Sequence, residues 1–215
     1  MSLNYKSYWR KTGLKGKWGK IYLERISFHK PRNFLEIGVF CGVTARNTCD
    51  FLKEINGDNF SYVGIDLFGR DKNTSTDEIE PKFLLNQKFS NPLKNIYYNL
   101  ILRENLNSIE SVRKLLGKYN NNIKLIAGDT NTVLKEIDLN DIDFVFLDGG
   151  HSYQTVYSDL TTLYEHMKDK QKVILCDDYG IESYIPEVEK AVNDFIQQKN
   201  LKLNLIENRF AEIIT

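Results

Sequence analysis

A chain of 215 residues is long enough for one α/β domain with a large core and too short for two full domains with a linker. Lysine plus arginine balance aspartate plus glutamate at 29 each, so no global field argues for nucleic acid, and a small-molecule partner is expected. Cys41, Cys49 and Cys176 are odd in number and lack metal-type spacing, and neither a signal-type apolar segment nor a membrane span is visible, so reduced thiols in a cytoplasmic protein are expected.

Residues 1–19 alternate Lys, Tyr, Trp and Gly and an amphipathic pattern runs over 18–28, so residues 1–32 read as a helical cap on the sheet. Residues 34–37 read as a first strand, 44–55 as its helix and 61–66 as a second strand. The stretch 69–119 is longer than an ordinary crossover; residues 70–80 are charged, whereas 81–118 have aromatic and aliphatic residues at helical spacing. It reads as a lid or substrate-binding insertion, with Phe83, Phe89, Tyr97 and Tyr98 as possible contacts, or else as a simple elongated crossover. A third strand over 123–127 and a short helix over 131–137 come next, then a fourth strand over 142–147. Val156, Leu160, Leu163, Tyr164 and Met167 put a helix over 153–167, a fifth strand spans 172–176, and Pro186 opens a helix over 186–199. Residues 202–206 and 210–214 alternate apolar and polar around Glu207-Asn208-Arg209, as an antiparallel hairpin would. The alternation of strand and helix specifies a doubly wound, mostly parallel α/β sheet in a single domain spanning 1–215.

Chemistry concentrates where strands end. Asp148-Gly149-Gly150-His151 closes the fourth strand and Asp177-Asp178-Tyr179-Gly180 the fifth, and carboxyl ends of strands face the crevice where open α/β sheets bind ligands. Three carboxylates and an imidazole there cost desolvation free energy, so pairing with a cation or use in chemistry is expected. Oxygen ligands from Asp148, Asp177 and Asp178 suit a hard cation such as magnesium or calcium. A hydroxyl beside such a cation loses its proton more easily, and His151 or Asp148 is placed to take it. Tyr153 and Tyr179 read as pocket walls, the three cysteines as packing, and His29 and His166 as surface or packing residues.

Glu36-Ile37-Gly38-Val39-Phe40-Cys41-Gly42 joins the first strand to its helix, and its glycines permit a tight turn and close approach of backbone to a ligand. The spacing is not that of a dinucleotide fold, and no Lys-Ser/Thr comes after it to make a phosphate loop. Asp66 ends the second strand, where a carboxylate can accept both hydroxyls of a ribose. Gly128-Asp129-Thr130 ends the third and suits either the edge of an adenine or the capping of the next helix.

This order of motifs resembles the class I S-adenosylmethionine-dependent methyltransferases over residues 34–215. The resemblance implies a seven-stranded sheet of order 3-2-1-4-5-7-6 with an antiparallel last strand. It implies S-adenosylmethionine held by Glu36, Gly38, Cys41, Gly42, Asp66, Leu67, Gly128, Asp129, Thr130, Asp148 and His151. Asp148-Gly-x-His151-Ser-Tyr153 is similar to small-molecule methyltransferases with an Asp-Gly-x-His-x-Tyr motif. Asp177-Asp178-Tyr179 is similar to the macrocin-type sugar O-methyltransferases, where a strand-four aspartate joins the pair to hold magnesium; Gly150 and His151 depart from that group. The implied function is methyl transfer to a hydroxyl of a sugar or natural product, with no nucleic-acid or membrane partner and an aromatic amino-terminal segment able to pack against a second subunit. The competing readings are an NAD(P)-dependent oxidoreductase and a non-catalytic binding protein that keeps the fold.

Overall fold

The structure is a computed structural model that describes residues 3–69, 86–168, 171–183 and 185–215. The charged stretch expected over 70–80 and the possible contact Phe83 lie outside those residues. In chain order the elements are α1 (Lys17–His29), β1 (Asn33–Ile37), α2 (Val43–Asn56), β2 (Ser61–Asp66), α3 (Pro92–Asn95), α4 (Ile109–Leu115), β3 (Ile123–Ala127), α5 (Thr130–Glu136), β4 (Phe144–Leu147), α6 (Tyr153–Met167), β5 (Val173–Cys176), α7 (Pro186–Lys199), β6 (Leu203–Ile206) and β7 (Phe210–Ile214). The seven strands form one sheet of order β3-β2-β1-β4-β5-β7-β6, parallel from β3 to β5, with β7 antiparallel to both of its neighbours.

Successive strand residues face opposite sides, so each strand feeds two cores. Phe34, Tyr62, Phe144, Phe146, Leu175 and Phe210 pack on one side with Tyr22 and Ile26 of α1 and Ala45, Cys49 and Leu52 of α2. Leu35, Ile37, Val145, Leu147, Ile174 and Cys176 point the other way, toward Leu134 of α5, Leu160 and Leu163 of α6 and Val192 and Phe195 of α7. Burying one such side chain contributes about 1.5–3 kcal/mol, which explains why the strands read as nearly continuous apolar runs. The three cysteines are buried and unbridged.

Local chemistry moves some boundaries. β4 starts at Phe144, because Asp143 turns its carboxylate to the N–H groups of Arg32 and Asn33, both at 2.9 Å, and so caps the start of β1. The helical pattern expected over 81–118 is broken into pieces among the described residues. The four residues of α3 run into a π-helical turn, Ile96–Ile101; Arg103 then takes a left-handed φ of 51°, and Ser108 restarts the chain as the N-cap of α4. The final hairpin closes through Glu207 and Asn208, both left-handed, as tight hairpin turns require.

The sheet sets the site. Ile37, Leu147 and Cys176 lie side by side in register, so the residues after β1, β4 and β5 emerge together. The ladder runs one step further, with Asp148 N–H donating to the Ile37 carbonyl at 2.9 Å and Asp177 N–H to the Leu147 carbonyl at 3.0 Å.

Candidate functional site

Gly38 comes directly after β1 with φ 91°, and a Cβ there would lie 1.9 Å from the Asp148 carbonyl oxygen. Only glycine lets the β1 turn pass this close to the end of β4, so the turn and the first acid-bearing segment are in direct backbone contact. Beyond it, Leu147, Asp148, Gly149, Gly150, His151, Asp177 and Asp178 line one small cleft.

The four polar side chains of this cleft do not behave alike. Asp148, His151 and Asp178 each offer one ligand atom within 4.8 Å of the others, and they are the candidate metal-binding group among the described residues. His151 Nε2 lies 3.1 Å from Asp178 Oδ2, with the ring 40% exposed at the cleft. Burial raises the Asp148 carboxyl well above the usual carboxylate range, and the negative charges of Asp177, Asp178 and Glu36 raise it further. Asp178 sits at a left-handed φ of 60°, a conformation that aspartate tolerates better than most residues.

Asp177, expected as the third metal ligand, is instead paired with Arg209. Its two oxygens accept from Arg209 Nε and Nη2, both at 2.6 Å, in a bidentate buried pair. Burial raises the Asp177 carboxyl, and the guanidinium draws it back. Asp177 Oδ1 also accepts the Asp178 N–H at 2.9 Å, so the pair fixes the backbone that presents Asp178. Arg209 escaped the sequence reading because it lies 32 residues away, at the start of β7; its only signal was a cation beside the hairpin turn.

The residues expected at the cofactor sit at the ends of β1, β2 and β3. Gly42 is the left-handed N-cap of α2, and Cys41 beside it is buried against Tyr98 and Leu106. Asp66 closes β2 and accepts the N–H groups of Phe40 and Phe68, both at 2.7 Å, so its carboxylate braces the glycine turn; burial raises it and these hydrogen bonds lower it. Leu67, next to it, is partly exposed. Gly128 and Asp129 lie just past β3, and Asp129 caps α5, which begins at Thr130, by accepting the Asn131 N–H at 2.9 Å. Of the two roles open to Asp129, capping is the one seen. Glu36 is enclosed at 0% exposure; its Oε2 accepts the Tyr62 hydroxyl at 2.8 Å, and no hydrogen bond to Oε1 is present among the described residues.

Three residues have polar partners that their local sequence does not show. Tyr153 and Tyr179 hold α7 by donating to Asp194 Oδ2 at 3.0 Å and Asn193 Oδ1 at 2.8 Å, so their hydroxyls are committed to that helix. His29 packs its ring against Phe144, with centroids 5.7 Å apart, and also has a polar role. Its Nε2 is 3.0 Å from Glu212 Oε2, which also accepts from Arg25 Nε at 2.8 Å, and α1 is thereby pinned to β7. Burial would raise Glu212, but His29 and Arg25 hold it at about 2. Near the glycine turn, Trp9 joins Tyr97 and Tyr98 in an aromatic cluster, with ring centroids 5.1 and 5.5 Å apart, and Phe89 stacks on Tyr98 at 5.5 Å. The described residues contain no helix long and apolar enough to cross a membrane.

Comparison with known proteins agrees with this architecture. Residues 35–179, more than half of the chain, match a family model described as a methyltransferase domain. No curated protein matches the chain. Among solved structures, the SAH-bound methyltransferase PaMTH1 of Podospora anserina is similar over 93% of this chain and 79% of its own, at 15% identity and a TM-score of 0.61. The O-methyltransferase NovP is similar over 92% and 80%, at 17% identity and a TM-score of 0.60. CalS11, a TDP-rhamnose 3'-O-methyltransferase of calicheamicin biosynthesis, is similar over 90% and 76%, at 17% identity and a TM-score of 0.55. At these identities the likeness is one of fold.

Proposed function

The chain belongs to the methyltransferase-domain family, and on that premise we propose that it transfers a methyl group from S-adenosylmethionine to a hydroxyl of a small molecule, a sugar or a natural product, with a divalent cation at the site. The observation that carries this reading is the convergence of Asp148, His151 and Asp178 at the strand ends, in contact with the glycine turn. The family match leaves the oxidoreductase alternative without support.

Bound S-adenosylmethionine supplies a methyl carbon already activated by a positive sulfur, so the protein has mainly to align it with the nucleophile. Gly38, Cys41 and Gly42, beside Glu36, form the turn that this reading assigns to the amino-acid end of the donor. Asp66, next to Leu67, has its carboxylate held by two N–H groups and keeps lone pairs for the ribose. Gly128, Asp129 and Thr130 form the rim toward the adenine.

Asp148 and Asp178, with His151 beside them, are the residues that would hold magnesium or calcium, and the mutual repulsion that raises Asp148 fits a cation between them. Such an ion would supply positive charge that makes a hydroxyl easier to deprotonate. Asp177, neutralised by Arg209, supports Asp178 from behind. His151 takes the acceptor's proton. His151 Nε2 lies 3.1 Å from Asp178 Oδ2; in the tautomer that donates Nε2–H to this carboxylate, the ring is oriented, the resulting imidazolium is stabilised and Nδ1 carries the basic lone pair. The whole chain acts as one methyltransferase domain, with the described residues 86–119 on the acceptor side.

Asp178→Asn tests the reading. It should slow methyl transfer by about 10²-fold or more and leave S-adenosylhomocysteine affinity within about threefold. An unchanged rate with magnesium present refutes the role of Asp178.

A further inference from the structure

A buried cation outside the acidic cluster touches the glycine turn. Arg10, 8% exposed, precedes α1. Its Nη1 donates to the Cys41 carbonyl at 3.2 Å, and its Nη2 donates to the Ser111 carbonyl in α4 at 3.2 Å and to Glu104 Oε1 at 3.3 Å. One guanidinium thus joins the amino-terminal segment, the turn, and the chain beyond the π-helical Ile96–Ile101 turn.

The segment around Arg10 is itself fastened to α2. Lys6 N–H donates to Asn47 Oδ1 and Asn47 Nδ2 to the Lys6 carbonyl, both at 2.8 Å, and the Tyr5 and Thr44 hydroxyls share a hydrogen bond at 2.8 Å. On the far side α4 presses on Gly42, where an added Cβ would meet Val112 at 3.0 Å. A turn whose two glycines both take left-handed φ values has little stiffness of its own, so the groups packed on it decide its shape.

We infer that Arg10 is a positioning residue for the donor site: it holds the Cys41 carbonyl, and with it the backbone of the turn, in the form that receives the donor, and couples that form to the acceptor-side segment through Glu104. The inference rests on the reading of this turn as the donor site. Arginine suits the task because its planar fork reaches three acceptors at once, whereas lysine presents a compact point charge.

Arg10→Met keeps the apolar stem and removes every donor. Titration of the full chain with S-adenosylhomocysteine should give about tenfold weaker binding, as loss of a charged hydrogen-bonding group predicts, and the donor KM should rise with little change in kcat. Glu212→Gln is the control: it breaks a buried ion pair between α1 and β7 in which neither partner bonds to the glycine turn or to Arg10, lowers Tm, and should leave that affinity within about twofold. Wild-type affinity in Arg10→Met, or an equal loss in Glu212→Gln, overturns the inference. If Arg10→Met does not fold, hydrogen exchange of the wild-type chain decides. S-adenosylhomocysteine should protect residues 10–12 and 104–111 together with 38–42, and protection confined to the turn overturns the inference. Absence of any binding by the wild-type chain instead overturns the donor reading, and the inference with it.

Discussion

Glu36 should make the protein less stable as pH rises from 5 to 8. Its side chain is fully enclosed, with one hydrogen bond from Tyr62. Burial pushes its carboxyl up to about 8, against the lowering effect of Tyr62 and with a further rise from Asp66. An ordinary glutamate in the unfolded chain titrates at 4.5. Between these values the unfolded chain has released a proton that the folded chain keeps, so the folded state loses ground as pH rises. The contribution is fully present below about 4.5, falls by about 1.4 kcal/mol per pH unit, and levels off above about 8. Over pH 5 to 8 that amounts to about 4 kcal/mol. Glu36→Gln cannot ionise and keeps an oxygen for the Tyr62 hydroxyl. Urea unfolding of both proteins at several pH values cancels the groups that do not sense Glu36, leaving in the difference Glu36 and its coupling to Asp66 and Asp148. The wild type should lose about 4 kcal/mol relative to the variant over this range, and profiles that stay parallel within about 1 kcal/mol refute the reasoning.

Two further substitutions probe the frame of the site. Arg209→Met leaves the Asp177 carboxylate buried without its guanidinium and should cost about 3–5 kcal/mol in urea unfolding, whereas a cost under about 1 kcal/mol contradicts the buried-pair account. Gly38→Ala drives a Cβ into the Asp148 carbonyl oxygen, at 1.9 Å and at a φ unfavourable to alanine, and should prevent cooperative folding; a wild-type Tm by circular dichroism contradicts the close approach of the two turns.

The sequence was most legible where one force dominated. Apolar runs and helical spacing located β2, β3, α6, α7 and β7 at their observed limits, because burial against both faces of the sheet leaves little freedom. The strand order came with the family resemblance and agrees with the observed sheet. Where single polar side chains decide, the pattern was silent. Asp143 shortens β4 by capping β1, and Arg103 and Ser108 divide a stretch whose spacing alone reads as continuous helix. The acids of the cleft were visible as isolated carboxylates at strand ends, but their division of labour was not. Arg209 meets Asp177, Arg25 and His29 meet Glu212, and Arg10 meets Cys41 only after the sheet and α1 have assembled, across separations that no local spacing encodes.

The central claim is that the glycine turn and the acids beside it form a donor site for methyl transfer. Calorimetric titration of the full chain with S-adenosylhomocysteine tests it most directly. Saturable one-to-one binding in the micromolar range, weakened by Arg10→Met and preserved in Asp178→Asn, is the predicted result; no heat of binding at millimolar ligand would contradict it.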